Sequence, residues 1–343
     1  MPIRVSCVIL AAALAASGQS LRDLAKSKGV YFGAAGAVLF LNEGDYPTVL
    51  AREFNQLEPE NDTKFGPIHP APETYAWQRA DALVEFGAKH GMRMRGHTLV
   101  WHNQNPAWLT KGSFTPVQLN GILESHISAV MRHFRGKMFG WDVVNEAFND
   151  DGTMRSTIWY DKPGIGLQGT GYIEQAFKWA RAADPDAKLF YNDYNNEAIC
   201  AKSDAMYAMV KDFKARGVPI DGVGLQMHLT LKPNLDTYEA NIERFEKLGM
   251  IVEITELDVR VPVDASGKAD PADLVKQAEI YERVVRGCLK FSACKAIQVW
   301  GVTDKHSWIP GVFKGTGEAL IFDKAYQPKP AYTAVRKAFE AAK

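Results

Sequence analysis

The chain has 343 residues with 40 basic and 40 acidic side chains, and 46% of its residues are hydrophobic. This balanced charge gives no electrostatic reason to bind nucleic acid or an anionic membrane surface, so we expect neither partner. The hydrophobic fraction is sufficient for a large core, and the length permits either one large domain or two ordinary ones.

The first residues have the layout of a secretory signal peptide. "MPIR" carries an early positive charge, "VSCVILAAALAA" is a short apolar run, and "ASG" supplies small residues. The apolar run has about 12 residues, whereas a helix that spans a membrane needs about 20. We therefore predict that residues 1–19 are a signal peptide, that residues 20–343 form the catalytic domain, and that the protein is extracellular.

Apolar, strand-like stretches alternate with amphipathic, helix-like ones along the chain. The predicted strands cover residues 31–36, 54–60, 92–101, 139–147, 188–193, 222–228, 251–259 and 296–301. The clearest helical periodicity covers residues 74–91, 115–134, 235–249 and 271–289. This alternation predicts parallel strands joined by crossover helices, and eight such units predict an α/β fold, a single-domain (β/α)₈ TIM barrel. The alternative is an open doubly wound sheet, although no GxGxxG phosphate turn follows the first predicted strand.

Polar and aromatic residues collect where the predicted strands end. Active-site residues of (β/α)₈ barrels lie at the C-terminal ends of the strands, so these positions are candidates for the site. They are Glu60, Asn61, Lys64, His97, Trp101, Gln104, Asn145, Glu146, Asn192, Gln226, His228, Glu256, Asp258 and Trp300. The sequence therefore predicts one polar rim on an otherwise apolar barrel.

Two carboxylates, Glu146 and Glu256, occupy equivalent places on the fourth and seventh predicted strands. Each lies in an apolar run, which disfavours an ordinary surface acid. Cleavage of a glycosidic bond uses two facing carboxyl groups, one protonated and one ionised. Nearby amides can bond sugar hydroxyls, and Trp308, in a glycine-rich loop, can stack on a sugar ring. We therefore interpret the rim as a glycosidase site.

Five segments carry a more specific resemblance. They are, in chain order, "GHTLVWHNQ", "WDVVNEAF", "GVGLQMH", "ITELDV" and "VWGVTDKHSW". Together they resemble the endo-β-1,4-xylanases of glycoside hydrolase family 10, over about residues 21–340. The resemblance implies a retaining double displacement with Glu146 as acid/base and Glu256 as nucleophile. In a retaining pair, the two carboxyl groups should lie about 5–5.5 Å apart.

The resemblance also implies how the other rim residues act. Asn145 would hold the 2-hydroxyl of the sugar at the cleavage point. His228 would bond Glu256, and Asp258 would fix the imidazole, which keeps the nucleophile ionised. The central sugar site would be lined by His97, Trp101, Gln104, Gln226, Trp300 and Trp308. The next sugar on the non-reducing side would meet Glu60, Asn61 and Lys64. The leaving-group side would be faced by Asn192 and Tyr194.

Asp142 and Thr63 are two further residues whose surroundings the sequence predicts. Asp142 lies about 13 Å deeper than Glu146 along the same strand, at about 3.3 Å per residue. We predict that Asp142 is a structural acid, which needs a buried partner. The family commonly has methionine where "ENDTKF" has Thr63, so the packing beneath this loop is expected to differ.

The cysteines suggest one crosslink. Cys288 and Cys294 lie at a predicted helix-to-strand connection, and in an oxidising compartment they predict a disulfide, with two buried thiols as the alternative. Cys200 is left unpaired, and we expect it to be buried and inert. Cys7 falls in the predicted signal peptide. No cysteine–histidine spacing is typical of zinc, so we expect neither metal nor cofactor.

The sequence thus predicts a secreted endo-1,4-β-xylanase that acts on xylan and xylo-oligosaccharides as a monomer. Two alternatives remain open. One is a β-1,4-glucanase on a related barrel, because exclusion of one hydroxymethyl group is worth only a few kcal/mol. The other is a barrel that binds polysaccharide without cleaving it.

Overall fold

The computed structural model describes residues 19–342. Its parallel barrel strands are β1 (Tyr31–Gly36), β2 (Gln56–Pro59), β3 (Arg93–Gly96), β4 (Gly140–Asn145), β5 (Lys188–Asp193), β6 (Gly222–Leu225), β7 (Ile251–Val259) and β8 (Cys294–Val299). Each strand pairs with the next along the chain, and β8 pairs with both β7 and β1, which closes the sheet. The predicted (β/α)₈ barrel in a single domain is therefore confirmed.

A helix follows every barrel strand. These helices are α1 (Tyr46–Glu53), α2 (Gln78–Lys89), α3 (Pro116–His133), α4 (Gly171–Ala183), α5 (Ala201–Arg216), α6 (Tyr238–Lys247), α7 (Pro271–Cys288) and α8 (Pro330–Ala341). A further helix, Leu21–Ser27, precedes β1. Short helical turns occupy Val38–Phe40, Phe65–Ile68, Ala107–Thr110, Asp304–His306 and Ile309–Val312, and short strands occupy His228–Leu229, Val261–Pro262 and Thr316–Gly317.

Local sequence signals account for where the long helices begin. The side chain of Thr115 accepts a hydrogen bond from the backbone of Gln118, whose own side chain bonds Thr115 in return. Pro116 takes the first position of α3, where its missing N–H costs nothing. Asp270 caps α7 in a similar way, with its carboxylate accepting from the N–H of Ala272.

Several predicted strands are longer than the ladders that form, and the third and sixth show how the chain leaves the barrel. The third ends at Gly96 rather than at residue 101, and the sixth ends at Leu225 before resuming at His228. Met227, between these two ladders, has a positive φ of 64°, which interrupts extended backbone. The chain therefore leaves the barrel ladder at the rim, where its side chains turn toward the cavity.

The barrel interior holds an ion cluster around Arg95, which is fully buried. Its guanidinium donates two hydrogen bonds to Asp142, one to Glu58 at 3.0 Å and one to Glu253 at 3.1 Å. Burial alone would raise the pKa of Asp142, but the charge of Arg95 and hydrogen bonds from His97 and Arg95 hold that pKa below its ordinary value. The buried partner predicted for Asp142 is therefore confirmed.

Cys288 and Cys294 form a disulfide that joins the end of α7 to the start of β8, with 5.5 Å between their Cα atoms. The predicted crosslink is confirmed.

The burial expected for Cys200 is wrong, because its thiol is only partly buried. Cys200 is the N-cap of α5, and helix ends of the outer layer lie near the surface. Its Sγ lies 3.4 Å from the carbonyl oxygen of Asn195.

Almost all of the predicted signal peptide, and Cys7 within it, lies outside the described residues. Among residues 19–342, no helix combines the length and the apolar character that crossing a membrane requires.

Replacing both Cys288 and Cys294 with serine should lower the free energy of unfolding by about 2 kcal/mol, because the unfolded chain loses a short crosslinked loop. We expect the midpoint of thermal unfolding, followed by circular dichroism, to fall by several degrees. Cys200→Ser is the matched control and should unfold at the wild-type temperature. Equal midpoints for the double variant and the wild type would contradict this prediction.

Candidate active site

A cavity of about 670 Å³ opens at the C-terminal ends of the barrel strands. The predicted residues that line it are Glu60, Asn61, Lys64, His97, Trp101, Gln104, Asn145, Glu146, Tyr194, Gln226, His228, Glu256, Trp300 and Trp308. The lining also includes residues that the motifs did not single out, namely Asn103, Asn195, Arg260, Val312 and Phe313. The structure thus brings most of the predicted rim together around one space.

Glu256, near the end of β7, is almost fully buried at the floor of the cavity. Its Oε1 accepts a hydrogen bond from Nδ2 of Asn192 at 2.7 Å. Its Oε2 lies 3.1 Å from Nε2 of His228, whose Nδ1 lies 3.0 Å from Asp258. The imidazole is therefore held between two carboxylates, and Asp258 supports it from behind.

This arrangement sets the charge of both partners. Burial alone would lower the pKa of His228, but the charge of Asp258 and hydrogen bonds to Asp258 and Glu256 raise it to about 10. Burial alone would raise the pKa of Glu256, but the hydrogen bond from His228 and the charges of His97 and His228 hold it below its ordinary value. Near neutral pH, Glu256 is therefore an ionised carboxylate beside an imidazolium.

Glu146 follows directly after β4 and has a different environment. Its Oε2 accepts from the indole N–H of Trp101 at 2.8 Å, and its Oε1 accepts from Asn145 at 3.2 Å and Gln226 at 3.1 Å. Its backbone has a positive φ of 56°, a strained conformation for a residue other than glycine that recurs at functional sites. His102, the neighbour of Trp101 in the chain, approaches Glu146 with its Nδ1 3.8 Å from Oε2.

Asn192 is the predicted site residue that the structure places elsewhere. It is fully buried and does not line the cavity, so the expectation that it faces the leaving group is wrong. Its Nδ2 donates to Asn145 at 2.9 Å as well as to Glu256, and its Oδ1 accepts from Thr255 at 2.7 Å. Because β4 and β5 pair Asn145 with Asn192, its side chain meets these neighbours inside the barrel.

The loop after β2 forms one end of the cavity. Nζ of Lys64 donates to Asn61 at 2.9 Å and lies 4.9 Å from the ring centre of Trp101 and 5.9 Å from that of Trp300. Thr63, at the unusual position, is fully buried and donates its hydroxyl to the backbone carbonyl of His97. A hydrogen bond thus holds this loop from beneath, and Lys64 reaches the site.

Arg155 is a supporting residue that the sequence motifs did not indicate. Its Nη2 donates to the hydroxyl of Tyr194 at 2.9 Å, and its Nε donates to the backbone carbonyl of Glu146 at 3.0 Å. It lies in the long connection between β4 and α4, where neither periodicity nor motif spacing indicates a role for it.

The indole N–H of Trp308 donates to Asp258 at 2.8 Å, which orients this ring beside His228.

The arrangement provides one ionised carboxylate and one carboxyl group that lies among neutral donors. Such a pair can attack an anomeric carbon and protonate a leaving oxygen, which is the chemistry of glycoside cleavage. The surrounding amides and indoles suit the hydroxyls and apolar faces of sugars.

Replacing His228 with asparagine should raise the pKa of Glu256, because the variant loses the imidazolium that favours the ionised carboxylate. The acidic limb of log(kcat/KM) against pH should therefore move to higher pH, measured on an aryl β-glycoside. His133→Asn is the matched control, since His133 pairs with Asp81 on the outer helices. An acidic limb unchanged in the His228 variant would contradict this role.

Residues 20–338 match the family model described as glycosyl hydrolase family 10. A relative named endo-1,4-beta-xylanase B, from Thermotoga neapolitana, is 47% identical over 93% of this chain and 91% of its own length. The beta-1,4-xylanase of Dictyoglomus thermophilum is 40% identical over 94% and 92%.

Solved structures agree with this result. Native xylanase 10B from Thermotoga maritima superposes with a TM-score of 0.89 at 47% identity, over 94% of this chain and 98% of that one. Xylanase 10B from Thermotoga petrophila RKU-1, in complex with xylobiose, has the same TM-score and identity over 94% and 97%. The chain belongs to glycosyl hydrolase family 10.

Proposed function

We propose that this protein is an endo-1,4-β-xylanase, which hydrolyses internal β-1,4-xylosidic bonds of xylan with retention of anomeric configuration. The observation that carries the proposal is the contrast between the two carboxyl groups of one cavity. Glu256 is held ionised by His228, whereas Glu146 lies among the neutral donors Trp101, Asn145 and Gln226. The two carboxyl groups of such a pair can act as nucleophile and as acid/base. The xylanases among the relatives support xylan as the substrate.

The reaction then proceeds in two displacements. In the first, the carboxylate of Glu256 attacks the anomeric carbon while Glu146 gives its proton to the departing glycosidic oxygen. A covalent glycosyl ester and the shortened leaving chain result. In the second, the carboxylate of Glu146 takes a proton from water, and the water oxygen displaces Glu256 from the anomeric carbon. Both carboxyl groups return to their starting states.

The surrounding side chains are proposed to hold the sugars. Asn145 donates to Glu146 and is linked to Glu256 through Asn192. It is suited to the 2-hydroxyl at the cleavage point, where hydrogen bonds strengthen toward the transition state. The central ring is proposed to meet His97, Trp101, Gln104, Gln226, Trp300 and Trp308. The next ring on the non-reducing side is proposed to meet Glu60, Asn61 and Lys64. Tyr194, oriented by Arg155, faces the leaving group.

Discrimination against glucose polymers is proposed to rest on Trp308 and Gln104. Xylose lacks the hydroxymethyl group at C5, so an enzyme for xylan can close the space that this group would take. The indole of Trp308 is anchored to Asp258 and stacks edge-on against Phe313, which limits its movement. Such exclusion is worth a few kcal/mol, and weak action on cellulose-type substrates is compatible with it.

Glu256→Ala and Glu146→Ala distinguish a retaining xylanase from the alternatives. The wild type should release sugar from xylan faster than from carboxymethylcellulose, and proton NMR should show β-configured first products. Glu256→Ala should abolish turnover on every substrate. Glu146→Ala should lose about 10²–10⁴-fold on xylan and far less on aryl xylosides with good leaving groups, because these need no proton.

Each outcome has a clear contrary result. Faster release from cellulose would favour a glucanase, and no release from any glycan would favour a binding barrel. Full activity of the Glu256 variant would remove it as the nucleophile. Equal losses of the Glu146 variant on xylan and on activated aryl xylosides would remove it as the acid.

We further propose that residues 1–19 direct secretion and are removed, and that the mature protein acts outside the cell as a monomer. The disulfide between Cys288 and Cys294 supports an oxidising compartment, and one chain supplies the whole cavity. N-terminal sequencing of protein from the culture medium should begin near residue 20. Recovery of the intact N-terminus from the cell interior would contradict the proposal.

A further inference from the structure

Two guanidinium groups and three carboxyl groups share the barrel interior beneath the cavity. They belong to Arg93, Arg95, Glu58, Asp142 and Glu253. All except Arg93 are fully buried, and the side chain of Arg93 is 11% exposed. If all three carboxyl groups were ionised while the neighbouring His97 was neutral, this interior would hold one more negative than positive charge. Excess charge is costly where water does not reach, so one carboxyl group is expected to keep a proton.

Hydrogen bonds identify which carboxyl group that is. Both oxygens of Glu253 accept from guanidinium groups, and so do both oxygens of Asp142. Oε2 of Glu58 accepts from Arg95 at 3.0 Å and from Gln298 at 2.6 Å. Oε1 of Glu58 is buried and has no hydrogen-bond partner among residues 19–342. An ionised oxygen without a donor is the most costly of these arrangements, so the proton belongs on Glu58.

We propose that Glu58 holds this proton in the working enzyme and is a positioning residue for the sugar site, acting through His97. Nδ1 of His97 lies 2.9 Å from Asp142 and 3.4 Å from Oε1 of Glu58. While Glu58 is neutral, the Nδ1 proton goes to Asp142, and the other ring nitrogen remains for the cavity that His97 lines. Once Glu58 is ionised, it competes with Asp142 for that proton.

The electrostatics of the site agree with this assignment. Burial raises the pKa of Glu58 to about 7, against the opposing charge of Arg95. The charged and titratable groups around Glu58 are Lys64, Arg95, His97, Asp142 and Glu256. Because Glu58 and Glu256 interact, ionisation of Glu58 also adds a negative charge near the nucleophile. As pH rises through about 7, ionisation of Glu58 therefore disturbs the hydrogen bond between Nδ1 of His97 and Asp142.

The kinetic consequence rests on the proposed function and has a definite direction. Loss of the Glu58 proton should loosen the hold of His97 on the central sugar, so KM for xylo-oligosaccharides should rise through neutral pH more than kcat falls. Folding should also weaken as pH rises from about 4.5 to about 7, because over this range the folded state still binds a proton that the unfolded chain has released. The rise of KM and the loss of folding stability both come from ionisation of Glu58.

Glu58→Gln tests the proposal, because glutamine copies the protonated carboxyl group. Its carbonyl can accept from Arg95 and Gln298, and its amide replaces the protonated oxygen. We expect the variant to fold, to keep kcat/KM within about twofold of wild type on the acidic side, and to lose the rise of KM through neutral pH. Glu253→Gln is the matched control. It removes a different acid that is bonded to Arg95, so it should lower stability and keep a rise of KM, moved to lower pH because the cluster then carries one negative charge fewer.

Infrared difference spectroscopy reads the proton directly and without substrate. The wild type should lose a protonated-carboxyl carbonyl band as pH rises through about 7, and Glu58→Gln should lack that band. Burial also raises the pKa of Asp193 to about 7 and that of Asp304 to about 6, so the band is assigned by subtracting the variant from the wild type.

The outcomes separate this proposal from the proposed function. Identical infrared titrations of wild type and Glu58→Gln would overturn the assignment of the proton. A rise of KM that persists in Glu58→Gln would overturn its positioning role. If the protein were inactive on xylan but still showed the Glu58 band, the xylanase function would be contradicted and the assignment of the proton to Glu58 would stand.

Discussion

Arg95 donates hydrogen bonds to three carboxyl groups inside the barrel, and through them it joins β2, β3, β4 and β7. A closed barrel of this size must fill its interior with side chains, and here an ionic layer fills part of it. Burying these charges is costly, and the multiple hydrogen bonds of the guanidinium offset that cost. The strands that carry Glu146 and Glu256 are thereby tied together below the site.

Above this layer, amide side chains connect the two catalytic candidates. Asn192 donates to Glu256 and Asn145, while Gln226 donates to Asn145 and Glu146. The connection is made of neutral amides, so it fixes the positions of both carboxyl groups without placing a charge beside either. The difference between them comes from His228, which reaches only Glu256. Position and charge are thus set by separate sets of contacts, and each can be altered alone.

Sequence patterns were sufficient for the strand and helix order and for most of the cavity lining, since strand ends of parallel barrels meet at one rim. They were insufficient for Asn192, which ends a strand as the lining residues do but points into the barrel. They were also insufficient for Cys200, which an unpaired position suggested was buried and which caps a helix near the surface. Arg155 lies in a connection without periodicity, so only its contacts with Tyr194 and Glu146 reveal its role.

The sequence by itself determined the barrel, the two carboxylates and the crosslink between Cys288 and Cys294, because alternation, strand ends and short cysteine spacing are local properties of the chain. It also indicated that Asp142 needs a partner. Only the tertiary structure decided that this partner is Arg95 and that one buried oxygen of Glu58 has no hydrogen-bond partner among residues 19–342. Hydrogen-bond pairing depends on which side chains from distant strands meet in the interior, and no spacing along one chain encodes that meeting.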